Sequence, residues 1–325
     1  MISFRYHLVS LIAVFMALAT GILVGSSLLN QSLLDSQRST IAAQAAEKDN
    51  LRRDLDTVRN EVIFRDHYMN QLDERLVAGQ LAGQRVLLLT MPGAAGGDAD
   101  GLTTTFAKAG ARVTGRVGID DSFFATAADP RDVAVKAEAR DAIVRKNPIP
   151  ELRGQNADVQ LAGALMIRGG ADRSVTAPGK TLLDALDHGG FISRSGLADR
   201  ADLAVLLLGP PPDPALTATD PTERGVAELA AAFDGAGNGV VVAAPTKAAV
   251  GGAMDAIRKS PTTRDTISTV DTVETVFGQV ATVFALVEQM SGGAGHYGSS
   301  ADADSPFPQP TGPPTVAPAT PAPTK

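Results

Sequence analysis

The sequence contains no cysteine and no tryptophan, and aromatic residues fill only 4% of its 325 positions. The missing cysteine removes disulfides, thiolate metal sites and cysteine nucleophiles together. The shortage of rings means that any core is built from small aliphatic side chains. Basic excess is absent too: 29 Lys and Arg against 36 Asp and Glu leave a net charge of −7. Such a surface lacks the positive field that broad nucleic-acid binding requires, so no nucleic-acid partner is expected. The four histidines (7, 67, 188 and 296) show no HxxH or HxxxH spacing. The methionines form no MxM or MxxM cluster of the kind a thioether Cu(I) site needs. His67 and Met69, two apart on a helix, point to different faces. No cofactor is evident.

What is present begins with charge-free sequence. Between Leu8 and Leu29 run 22 residues, LVSLIAVFMALATGILVGSSLL, without a charge. As a helix they would extend roughly 33 Å, enough for a bilayer core of about 30 Å. Arg5 and the α-amino group in the short leader favour a cytoplasmic N-terminus, with the remainder outside the cytoplasm. The alternative is a signal peptide cleaved after Ala17-Leu18-Ala19, although the apolar run continues past that point. Residues 1–30 are thus an anchor or an export signal, and the membrane is an expected partner. Ala13, Ala17, Gly21 and Gly25 recur every fourth position, a small-residue stripe along which a second helix backbone can approach.

Residues 31–83 read as a helical stalk. No proline interrupts them and the first glycine is Gly79. In heptad register the a sites are Leu34, Ile41, Lys48, Leu55, Val62, Met69 and Leu76, and the d sites Gln37, Gln44, Leu51, Val58, Arg65, Leu72 and Gly79. The apolar members define a candidate coiled-coil seam and a homo-oligomer. A helix folded back on the following domain is the competing arrangement, and Gly79 and Gly83 mark the helix end.

From residue 84 to 290 the pattern changes to short apolar runs alternating with helical stretches. RVLLLT (Arg85–Thr90), ARVTGRVGI (Ala111–Ile119), DLAVLLL (Asp202–Leu208), GVVVAA (Gly239–Ala244) and Thr266–Val270 predict strands. After the first strand and the loop MPGAAGGDADG a helix is expected to end near Ala109, and others are expected near Pro130–Val144, Thr181–Leu186, Thr222–Phe233, Lys247–Arg258 and Val273–Met290. Continuous apolar strands separated by helices predict a doubly wound α/β domain with a mostly parallel sheet.

Such sheets take ligands at the carboxyl ends of their strands. The Gly-rich Met91–Gly101 segment falls there but matches neither GxGxxG nor the P-loop. Gly209-Pro210-Pro211-Pro212 reads as a rigid loop. Ser193 and Ser195 lack a GxSxG elbow. Asp187-His188 precedes Gly189-Gly190 and fits a helix C-terminus. Asp120-Asp121 fits a helix start. No catalytic residue is assigned. From Ser291 to Lys325 the Gly, Ser, Thr and Pro content predicts a disordered tail.

The opening MISFRYHLVSLIAVFMALATGILVGSSLL, the stalk that follows and RVLLLTMPG resemble the actinobacterial copper transporter family, the MctB-like envelope proteins. The resemblance covers the chain to about residue 290. It implies a non-enzymatic cell-envelope protein of copper homeostasis, with copper as the transported ion, an outer-membrane location and channel formation. A single apolar helix cannot enclose a pore, so channel activity would require oligomerisation. An envelope scaffold that binds partner proteins through its α/β domain, and an exported α/β enzyme, are the alternatives.

Overall fold

The computed structural model describes residues 4–124, 130–169, 173–210, 221–249 and 251–309. Helix α1 spans Phe4–Val77 and belongs to two units, Met1–Arg65 and Asp66–Lys325. In the first unit the described side chains are exposed throughout the helix, apart from a half-buried Gly25. Tyr6–Gly25 is long and apolar enough to cross a membrane, and none of it is buried. Water penalises such a surface at about 25 cal/mol per Å², so an apolar environment suits it. Thr20 returns its hydroxyl to the Met16 carbonyl at 2.7 Å, so that hydroxyl is satisfied locally.

The second unit is built on a seven-stranded sheet of order β3-β2-β1-β4-β5-β6-β7. Its strands are β1 (Arg85–Thr90), β2 (Arg112–Ile119), β3 (Ile192–Ser195), β4 (Leu203–Leu207), β5 (Val240–Ala243), β6 (Ser268–Val270) and β7 (His296–Tyr297). All neighbours pair in parallel except β2 and β3. The helices are α2 (Gly96–Lys108), α3 (Pro130–Lys146), α4 (Ala157–Leu165), α5 (Ala177–His188), α6 (Pro221–Ala236), α7 (Gly252–Lys259) and α8 (Val276–Met290).

The pleat explains why these strands are apolar without alternation. In β1, Leu87 and Leu89 enter the core shared with α4, α5, α6 and α7. Val86 and Leu88 enter the opposite core, shared with α2 and α8. All four are fully buried, and each contributes about 1.5–3 kcal/mol. Both faces of the sheet are covered, as the continuous runs predict. Asn156, Thr176 and Thr275 cap α4, α5 and α8 by accepting from Val159, Gly179 and Gly278 N–H.

Three features depart from the sequence expectation. The edge strand β3 and the helix α4 were not expected as elements. The C-terminal tail does not start at Ser291: β7 extends the sheet beyond β6. Phe307 then packs against Phe277 and Phe284 of α8, with centroids 5.1 and 5.4 Å apart. Of the expected tail, residues 310–325 lie outside the described residues.

Candidate functional site

In a sheet of this order the chain leaves β1 and β4 toward opposite faces, so their carboxyl ends form the topological switch point where ligands bind. Here that crevice is filled by backbone. The Met91 amide donates to the Leu207 carbonyl at 2.8 Å, Gly93 adopts φ 76°, and Gly209 lies so close that a Cβ there would overlap the Gly93 carbonyl carbon. Glycine is required at Gly209 for this contact alone. Of the Gly-rich segment, Gly96–Gly101 is already the first turns of α2.

The rim of the closed crevice is acidic. Asp98 sits in the first turn of α2, and burial, then the Glu274 carboxylate, raise its pKa. Glu274 accepts the Thr246 N–H with both oxygens at 3.0 and 3.1 Å. Two carboxylates at this edge oppose a phosphate, and the N-terminus of α2 has no side-chain cap.

The other sequence candidates disperse. Asp187 accepts from Arg194 at 3.0 and 3.1 Å, and the Nδ1 of His188 lies 2.7 Å from the Asp184 carbonyl. The pair is a helix end tied to β3. Ser193 and Ser195 lie on β3; a Cβ added to Gly118 would stand 2.5 Å from Ser193 Oγ, so this hydroxyl packs against backbone. Asp120 accepts the Ser122 N–H at 2.9 Å, and hydrogen bonding to Ser122 lowers its pKa. Pro211 and Pro212 fall outside the described residues. Among the described residues no group of three or more His, Asp or Glu is placed to hold a metal ion. Met91, Met166 and Met254 are buried core side chains.

The densest polar cluster is one the sequence reading missed. Arg258 of α7 is 1% exposed. It donates to Asp271 Oδ2 at 3.0 Å, Thr269 Oγ1 at 2.9 Å, Ser300 Oγ at 2.6 Å and the Tyr297 carbonyl at 3.4 Å. Asp271, fully buried, also accepts the Ser299 N–H at 2.7 Å and the Ser300 hydroxyl at 2.5 Å. A side chain at Gly298 would overlap the Asp271 carboxylate. Thr269 Oγ1 lies 3.0 Å from His296 Nδ1. Burial pushes the His296 imidazole down to about 4, with the Arg258 and Arg264 cations acting in the same sense and Asp304 against it. Arg258 joins α7 to β6 and its end, and the remaining contacts tie them to residues 296–300, so the cluster is a clamp for the last strand rather than an open site. Neither charge stands out in the sequence: Arg258 adjoins Lys259 at the end of an amphipathic stretch, and Asp271 lies between strand and helix.

The residues of the expected association surface are placed as follows. Ala13 and Ala17 are exposed, and a Cβ at Gly21 or Gly25 would meet nothing within 4 Å. Ile41, Leu51, Leu55, Val58 and Val62 are 65%, 57%, 68%, 56% and 43% exposed. Met69 and Leu72 are half-buried within the second unit, Leu76 is 42% exposed, and the side chain of Leu34 lies outside the described residues. The α1 face buried in the second unit is instead Asp73 and Val77, with Asp73 paired to Lys108 of α2.

The chain matches a family model described as copper transport outer membrane protein, MctB, over residues 1–308. Proteins named Copper transporter MctB from Mycobacterium bovis and Mycobacterium tuberculosis are each 30% identical to it over 317 residues, covering 92% of this chain and 96% of theirs. The protein of that name from Mycobacterium leprae is 29% identical over 316 residues, with the same coverage.

Proposed function

The chain belongs to the MctB family of copper transport proteins, and on that premise we propose that it serves copper homeostasis in the cell envelope as a membrane-anchored homo-oligomer. At the level of the family the role is copper transport or homeostasis. The observation that carries the reading to this chain is the extent of the match, which takes in the apolar helix, the remainder of α1 and the sheet domain together. Tyr6–Gly25 supplies the anchor, and the rest of the chain lies outside the cytoplasm. The family description makes the outer membrane the candidate address. One apolar helix offers no lumen, so passage of copper requires several copies, brought together by the Ala13–Gly25 stripe and the exposed heptad residues.

The role is non-enzymatic in this reading. The switch-point crevice is closed by Gly93 and Gly209, and the paired acid and histidine are committed to helix-end contacts. That closure also supports a second reading, in which the α/β domain is a docking module for envelope proteins on a membrane-anchored helix.

The test is copper accumulation and copper sensitivity in a deletion strain. Complementation uses the full chain or a version lacking residues 1–30. Hypersensitivity rescued only by the full chain is the expected result. Normal copper handling in the deletion strain would sink the copper reading and leave the scaffold.

A further inference from the structure

Resting on the homo-oligomer reading above, we propose that α1 pairs with α1 of a second copy as a parallel, in-register, two-stranded coiled coil whose seam runs from Ile41 to Val62. The surface is on the page: Ile41, Leu55 and Val62 at a, and Leu51 and Val58 at d, are apolar side chains left between 43% and 68% exposed.

Charge selects both the occupant and its direction. In the heptad register of these residues, the g positions are Thr40, Glu47, Asp54 and Glu61, and the e positions are Arg38, Ala45, Arg52 and Arg59. Acids flank one side of the seam and bases the other. In a parallel pair each g faces the e of the next heptad on the other helix. Glu47 then meets Arg52 of the second copy, and Asp54 meets Arg59 of the second copy, twice over by symmetry. An antiparallel pair sets g against g and e against e, acid on acid and base on base. Among the described residues, Glu47, Asp54 and Arg59 have no ion-pair partner within their own chain, and Arg52 has only a 3.9 Å approach to Asp49. Residues five apart on one helix cannot pair with each other.

Lys48 fits the same arrangement. It occupies an a position, where a lone cation costs stability but fixes register. In the parallel pair it stands beside Glu47 of the second copy. The pattern also sets the limit of the seam: the next g–e pair would be Glu61 with Asp66, which repel. Arg65, at d, is held 3.5 Å from Glu61 of its own helix. Ile63 and Phe64 fall at b and c and stay uncovered by this pairing.

The chain's lack of cysteine makes the test clean. In the full-length protein in detergent micelles, Ile41→Cys and Val58→Cys should each cross-link to itself on oxidation, whereas Arg53→Cys, at f, should not. The Glu47→Arg/Asp54→Arg variant should weaken dimerisation about tenfold, on the scale of a few exposed ion pairs reversed in sign. Adding Arg52→Glu/Arg59→Glu should restore it. A dimer in which neither seam cysteine cross-links to itself, a dimer that the four-fold variant fails to restore, or a monomer in micelles would each overturn the proposal. Copper sensitivity of the deletion strain is read separately: normal copper handling there, alongside intact cross-linking of the variants, removes the copper reading and keeps the coiled coil.

Discussion

Leu55 and Leu88 are the same side chain in opposite circumstances. Leu55 belongs to a unit whose described residues are a single helix, and it is 68% exposed. Leu88 belongs to a sheet covered on both faces, and it is fully buried. In the sheet unit every strand of the apolar centre finds its cover within the chain. In the helical unit the apolar residues recur with a heptad spacing that the chain itself does not cover. Periodicity alone thus reports that a face is to be buried; whether the chain buries it is settled by what else it folds into.

The sharpest break in that comparison comes from the charged clamp of the sheet unit. Arg258→Met leaves the Asp271 carboxylate buried without its cation and should cost about 3–5 kcal/mol. Urea unfolding of the full chain, followed by near-ultraviolet circular dichroism, measures it. The dimer mass in micelles should stay unchanged.

The same substitution made in both regions comes next. Leu88→Ala should destabilise the sheet unit by about 2–5 kcal/mol. Leu55→Ala should leave the sheet unit's unfolding midpoint where it is and weaken self-association instead. Equal losses of domain stability from the two variants would erase the distinction.

A smaller effect separates the two regions by pH. The His296 imidazole ionises near 4 in the fold against 6.5 for an ordinary histidine. Between those values the unfolded chain binds more protons than the folded one, so stability rises with pH. The contribution is complete above about 6.5 and is lost as the pH falls toward 4. His296→Gln should flatten this part of the stability profile, and the helical unit's association should show no matching inflection. The smallest effect belongs to the exposed helix surface: Arg65→Gln, breaking the pair with Glu61, should shift stability by less than about 0.5 kcal/mol in thermal unfolding.

The legible parts of this fold share one property: their signal is local. RVLLLT and DLAVLLL are buried on both faces, so their apolar runs announce parallel central strands without reference to anything distant. β3 was invisible because ISRS, an antiparallel edge strand, has one exposed face and two hydroxyls. α4, ADVQLAGAL, was missed because alanine and glycine give it little periodicity. The last strand was misread for a stronger reason. GGAGHYGSS carries the composition of a disordered tail, and what orders it is a buried guanidinium and carboxylate donated by α7 and the end of β6. The candidate site was half legible in the same sense. The Gly-rich turn after β1 can be read directly, but its closure depends on Gly209, whose proximity only the fold creates.

The clamp on the last strand also sets an order of events. Protein chains are made from the amino end, so Arg258 and Asp271 exist before Ser299 and Ser300 have been added. Until the segment around residue 300 emerges, the carboxylate lacks its amide and hydroxyl donors and the guanidinium lacks one of its acceptors. A partly made chain can assemble the core over α4 to α7, which holds no residue beyond Ile267, but leaves the buried ion pair short of its last partners. The final strand therefore closes the sheet only when nearly all of the described chain is available.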